Sequence, residues 1–120
     1  MHFGIATRSK TNYGWGSPDS VMRKNKSILE LLDRLKIAAH DWVIADHWDS
    51  DLCAIGIATK AELRQLVYVS TYGKARGRYY FECEAPLTDS AEESVVTESA
   101  DDVGWDELLG VLVRHLDTVR

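Results

Sequence analysis

Between Glu82 and Val113 the chain has neither lysine nor arginine. Other scarcities bound what it can be. Its two cysteines, Cys53 and Cys83, are too few for a disulfide framework, and both fall in apolar runs where a reduced cysteine serves as a small hydrophobe. No stretch of roughly 18 apolar residues is present, which excludes a helical membrane span. The opening Met1-His2-Phe3-Gly4-Ile5 lacks the charged and long apolar regions of a signal peptide, so the expected location is the cytoplasm. There is no Cys-x-x-Cys, no Gly-x-Ser-x-Gly and no His-Glu-x-x-His, and His2, His40, His47 and His115 are scattered without ligand spacing. The expectation is therefore a protein with no cofactor, no metal site and no catalytic residue. A net charge of −5 argues against generic affinity for nucleic acid, which rests on cations neutralising phosphates.

In place of cations, Glu82–Val113 holds ten acidic residues: Glu82, Glu84, Asp89, Glu92, Glu93, Glu98, Asp101, Asp102, Asp106 and Glu107. The rest of the chain is nearly the reverse. Residues 1–81 carry 12 basic and 8 acidic residues, a formal +4, whereas residues 82–120 carry 2 and 11, a formal −9. At 120 residues the chain makes one domain, large enough to bury a core without staples.

Periodicity gives the elements. Alternation over residues 2–8 predicts a first strand, followed by a Gly-, Ser- and Asn-rich loop from Ser9 to Ser17. Ser17 as cap, Pro18 in the first turn and the spacing of Val21, Ile28, Leu31, Leu32, Leu35 and Ala39 predict a helix from Pro18 to about Ala38. Arg23, Lys24, Lys26, Arg34 and Lys36 would form its solvated face. Trp42–Ala45 reads as a strand. Leu52–Thr59, apolar on both faces, reads as a strand covered on both sides. Leu63–Tyr72 is a strand rich in Val and Tyr, with a helical start at Thr59–Leu66 as its rival. Gly73–Gly77 is a hairpin loop. Arg78–Ala85 alternates, with Tyr79, Phe81, Cys83 and Ala85 inward and Arg78, Tyr80, Glu82 and Glu84 outward. Leu87–Asp102 is either a loop or a short edge strand near Ser94–Glu98. Trp105–Thr118 is a final helix with Asp106 and Glu107 at its positive end, and His115 near its C-terminal end, where a proton is favoured. The order β-α-β-β-β-β-(β)-α implies an α+β fold: a mainly antiparallel sheet of about five strands with two helices packed on it.

Three local clusters carry candidate chemistry. Gly14-Trp15-Gly16-Ser17-Pro18 lies where a phosphate loop would, but Asp19 replaces the third glycine of a dinucleotide fingerprint, and a plain loop and cap explains it as well. Asp46-His47-Trp48-Asp49-Ser50-Asp51 could bind a divalent cation or supply a base, yet fits neither an EF-hand nor a zinc spacing; it also suits a solvated turn, or a contact loop for a basic partner. Lys74, Arg76 and Arg78 beside Tyr72, Tyr79 and Tyr80 could stack and neutralise a single strand of nucleic acid, could be a plain solubilised turn, or could pair with the chain's own acidic segment.

The acidic block, the small α+β pattern and the missing catalytic motifs together resemble the bacterial immunity proteins of polymorphic and contact-dependent growth-inhibition toxin systems. The ending Asp101-Asp102-Val103-Gly104-Trp105-Asp106-Glu107-Leu108-Leu109, with Arg114-His115-Leu116, is similar to the acidic lead-in and final amphipathic helix of many of them. The resemblance implies a non-enzyme that binds one cognate toxin domain, often a basic nuclease, and blocks its active site, with no direct contact to nucleic acid or membrane, acting as a monomer or weak dimer. Charge places the expected contacts at Asp89, Glu92, Glu93, Glu98, Asp101 and Asp102, then at Asp49 and Asp51, with Trp105 as an aromatic anchor. The competing readings are a small nucleotide- or nucleic-acid-binding domain, or a metal-dependent enzyme built on Asp46–Asp51.

Overall fold

The chain runs β1 (Ile5–Ala6), α1 (Lys26–Leu35), β2 (Trp42–Ile44), β3 (Ala54–Thr59), β4 (Glu62–Ser70), β5 (Tyr79–Pro86), β6 (Ser94–Val103) and α2 (Trp105–Leu116). The structure is a computed structural model and describes residues 5–6, 23–37, 40–45, 51–88 and 93–117. The strands form one sheet in the order β1-β6-β5-β4-β3-β2, every neighbouring pair antiparallel. The architecture is the expected α+β fold, with β6 a full member of the sheet. Among the described residues no helix is long and apolar enough to cross a membrane.

Both helices lie on one face of the sheet. Ile28, Leu31 and Leu35 of α1 meet Leu108, Leu112 and Leu116 of α2 over Ile55, Ile57, Val67, Val69, Phe81 and Cys83, all essentially inaccessible to solvent. Each such side chain contributes about 1.5–3 kcal/mol of transfer free energy, and together they hold the layers. The helices also touch directly, the Arg34 guanidinium lying 4.2 Å above the Trp105 ring. Trp42 is buried and donates from Nε1 to Asp117 at 2.9 Å, which ties β2 to the end of α2.

The opposite face is smaller and more polar. Ala45, Ala54, Ala58, Leu66 and Tyr68 form a second cluster there. β3 is therefore buried along its whole length, as its two-sided apolar pattern predicts. The outward assignment of Glu82 and Glu84 is corrected: they are 1% and 5% exposed. Alternation correctly assigns them to the face opposite Phe81 and Cys83, but that face is covered rather than solvated.

Helix α1 begins later than its apolar spacing predicts. Asn25 caps it, its side chain accepting from the Ser27 N–H at 2.9 Å and its backbone carbonyl from Ile28 at 2.9 Å. Asn25 also donates its own N–H to the Leu52 carbonyl at 2.7 Å, an anchor incompatible with continuing the helix backwards. The Ser9–Ser17 loop, the Ser17 cap and residues 18–22 and 38 of the expected helix lie outside the described residues. Lys24 also departs from its expected place on a solvated face: it is buried, and its ammonium donates to the Asp51 carbonyl at 2.8 Å. The helix ends at Lys36, which adopts the left-handed conformation at φ 55°.

The loop between β4 and β5 is glycine-bounded as expected, with Gly73 at φ 70° and Gly77 at φ 80°, a region that costs other residues strain. The rival helix at Thr59–Leu66 does not form. The acidic segment after Pro86 is the larger departure. Of the two alternatives the strand starting at Ser94 is the one observed, and it is longer than expected, running ten residues to Val103. It pairs with β5 from Pro86↔Ser94 to Tyr79↔Val103. Between the pairs Cys83↔Glu98 and Glu84↔Val96 it carries one extra residue, Thr97, a bulge whose hydroxyl reaches the Cys83 carbonyl at 3.4 Å.

Candidate functional site

Among the described residues the acidic strand makes three ion pairs to other elements. Glu98 accepts two hydrogen bonds from Arg114 of α2, at 2.8 and 3.1 Å. Asp101 accepts from Lys74 at 2.9 Å, and Asp102 accepts from Arg78 Nε at 2.8 Å while its backbone carbonyl takes a second bond from the same guanidinium at 3.0 Å. The β4–β5 loop thus pairs with the chain's own acidic segment, one of the arrangements its charge allows. This engages two of the three cations a nucleic-acid reading of that loop requires. The third, Arg76, is 89% exposed and reaches Glu30 at 3.7 Å. The Arg114 bonds hold the Glu98 carboxyl below the usual carboxylate range.

The other expected contact residues are placed as follows. Glu93 is exposed, as are Asp106 and Glu107 of the acidic block, which are not among the expected contacts and stand in the first turn of α2. Trp105 is half-buried under Arg34 and packs against the core, so much of its ring is already in contact. Asp89, Glu92 and Asp49 lie outside the described residues, as do Trp15, Trp48 and most of the Asp46–Asp51 cluster. Asp51 is described and is held firmly. One carboxylate oxygen accepts from the Cys53 N–H at 3.2 Å and the other from the Tyr68 hydroxyl at 3.2 Å.

The fold brings Asp51 and Asp101, members of two separate acidic clusters, to one cleft of about 510 Å³ on the helix-free face of the sheet. Tyr68, Tyr72, Lys74 and Tyr80 line it with them. The aromatic part is fixed from below. Tyr68 and Tyr80 meet edge to face, ring centroids 6.3 Å apart at 76°. Tyr68 is tied to Asp51, and the Tyr80 hydroxyl donates to the buried carboxylate of Glu82. Register explains the meeting: Tyr68 stands opposite Glu82, and Ser70 opposite Tyr80. Burial, then the bond to Glu82, raises the Tyr80 phenol well above its usual range, so it stays protonated at neutral pH. Tyr72 stands at the rim, 79% exposed. Sequence reasoning misses Tyr68 as a site residue; it groups Lys74, Tyr72 and Tyr80 only as a nucleic-acid or turn cluster, and Glu82 only as part of the acidic block. Period two does put Tyr80 and Glu82 on one face, but their meeting with Tyr68 requires the strand register.

His115 differs from expectation. Burial lowers its pKa, outweighing its position near a helix C-terminus; its Nε2 lies 2.8 Å from the Glu84 carbonyl and Gln65 packs beside it. Cys53 and Cys83 are both free thiols. Burial pushes the Cys83 thiol up to about 12, which keeps it unreactive. Among the described residues no three His, Cys, Asp or Glu side chains converge to hold a metal ion.

No protein-family model matches the chain, and no curated protein or solved structure does either.

Proposed function

We propose that this chain is an immunity-type inhibitor, a non-enzymatic cytoplasmic protein that binds one basic toxin domain, a nuclease in the leading case, and covers its active site with an acidic surface. One observation carries the reading. Glu93 directly precedes β6, Glu98, Asp101 and Asp102 lie within it, and Asp106 and Glu107 follow in the first turn of the next helix. Lys74, Arg78 and Arg114 pair with three of them, so the group keeps a formal −3 while its geometry is held in advance. A fixed negative surface speeds encounter with a positive partner and requires little ordering on binding. A nuclease groove is basic because it holds phosphates, and carboxylates at those spacings compete for the same cations.

The test pairs two baits. The wild-type chain and a variant with E93Q, D101N, D102N, D106N and E107Q are used to capture proteins from the native host. Any captured basic domain is then assayed for cleavage of DNA or RNA with increasing amounts of each bait. The expected result is one basic domain held by the wild type, its activity titrated out at equal stoichiometry, and both effects lost with the variant. Undiminished inhibition by the variant, or the absence of any basic partner, would overturn the reading. Amides rather than lysines are used because reversed charges would repel Lys74 and Arg78 and confuse binding with folding.

A further inference from the structure

We infer that the cleft between Asp51 and Asp101 receives an arginine side chain, supplied by the partner if the immunity reading on which this rests is right. The chemistry of the cleft selects a delocalised cation. Among the described residues Asp51 and Asp101 line it and Glu82 lies beneath it on the Tyr80 hydroxyl, three acidic groups against two ammonium groups, Lys74 on the Asp101 carboxylate and the buried Lys24 on the Asp51 carbonyl. An anion is therefore repelled. Among the described residues no group of three ligands for a divalent metal is found. A flat cation with several donors suits both features at once. It can stack on tyrosine rings and bond in the plane to carboxylate oxygens, which a lysine ammonium cannot do together.

The parts of the cleft differ in exposure and in internal bonding, and the difference is what a receptor needs. The floor is immobilised by the Tyr68–Asp51 bond, the Tyr80–Glu82 bond and the edge-to-face contact of the two rings. The rim is accessible. The Asp101 side chain is 86% exposed even though Lys74 occupies one of its oxygens, and Tyr72 projects into solvent. The Lys74 side chain is only 16% exposed, so the ammonium lies on the inner side of that ion pair and leaves the outer side of the carboxylate to an incoming group. A volume of about 510 Å³ lies within the range of small-ligand pockets.

The probe is N-acetyl-L-arginine amide, titrated against the intact chain while tyrosine ring resonances are followed by NMR at constant ionic strength. N-acetyl-L-citrulline amide, uncharged and of the same shape, and N-acetyl-L-lysine amide are run in parallel. Rings are assigned with single Tyr→Phe variants. The expected result is saturable, millimolar binding of the arginine compound that moves Tyr72 and Tyr80, with affinity for the other two weaker by about tenfold. Asp101→Asn and Tyr72→Ala, both at the exposed rim and both expected to fold, should each weaken it. Equal binding of citrulline or lysine, or an unchanged response in both variants, would overturn the proposal. Its failure is separable from failure of the immunity reading. Arginine binding without a captured toxin leaves the cleft standing and removes the reading, whereas a captured and inhibited toxin without arginine binding does the reverse.

Discussion

The ammonium of Lys74 sits 2.9 Å from a carboxylate oxygen of Asp101 and fastens the β4–β5 loop to the acidic end of β6. With Arg78–Asp102 beside it, the contact makes this loop and this strand one surface. Both aspartates are well exposed, so the pairs shape the surface more than they stabilise the fold. The double change D101N/D102N should lower stability by less than about 1 kcal/mol in urea unfolding. D101K/D102K should cost more, because each new cation faces an old one, and the excess should shrink as salt rises. Urea midpoints at low and high salt check both statements.

Tyr80 and Tyr72 line the same cleft, yet they should respond differently to loss of a hydroxyl. Tyr80→Phe removes the donor that faces the buried Glu82 carboxylate and should cost about 1–3 kcal/mol. Tyr72→Phe alters a side chain in solvent and should stay within about 0.5 kcal/mol of the parent. Chemical denaturation of the two variants side by side decides the matter.

His115 should make stability depend on pH on the acidic side of neutrality. Its folded pKa lies below the ordinary 6.5, because burial outweighs the bond to the Glu84 carbonyl and the pull of Glu98, while Arg114 lowers it further. Between the folded value and 6.5 the unfolded chain binds more protons. Stability is therefore full above 6.5 and is lost as pH falls from there through the folded pKa. Thermal midpoints measured from about pH 7.5 down to about pH 5.5 should fall in the parent, and fall less in His115→Gln.

Gly110 lies exposed in the middle of α2, and a Cβ added there meets nothing within 4 Å. Gly110→Ala should raise stability by about 0.5–1 kcal/mol through reduced freedom of the unfolded chain, with no change in partner binding. Calorimetry on the purified variant, with a parallel capture assay, tests the pair of outcomes.

Where one physical rule acted alone, the sequence could be read directly. The two-sided apolar run of β3, the glycines at 73 and 77 and the spacing of Leu108, Leu112 and Leu116 each lead to the observed element. Where two rules competed, the reading failed. The apolar spacing favours one continuous helix through Asn25, but the side chain and backbone of Asn25 make an N-cap, so that α1 starts at Lys26. The charges of Thr97–Asp102 look like a loop in isolation; as β6 they are balanced by Lys74, Arg78 and Arg114, from loops and a helix far along the chain. Glu82 and Glu84 alternate like solvent-facing residues, and nothing local tells that their face is covered. The acidic residues were legible as a group. The convergence of Asp51 with Asp101 was not, because it depends on the order of strands, which no local pattern encodes.

The place of β1 at the edge beyond β6 carries a consequence for synthesis. Ile5 stands opposite Val95. Strands β2 to β6 each pair with the next to be made, so that meander can zip together through short loops as it emerges. β1 has to wait for a partner made 90 positions later, on the order of 5–20 s at ordinary translation rates. During that interval its backbone donors and acceptors are satisfied by water or by whatever else comes near. Of the described strands β1 is thus made before the others yet joins the sheet last, and a nascent chain stalled before Ser94 would lack the strand that β1 needs.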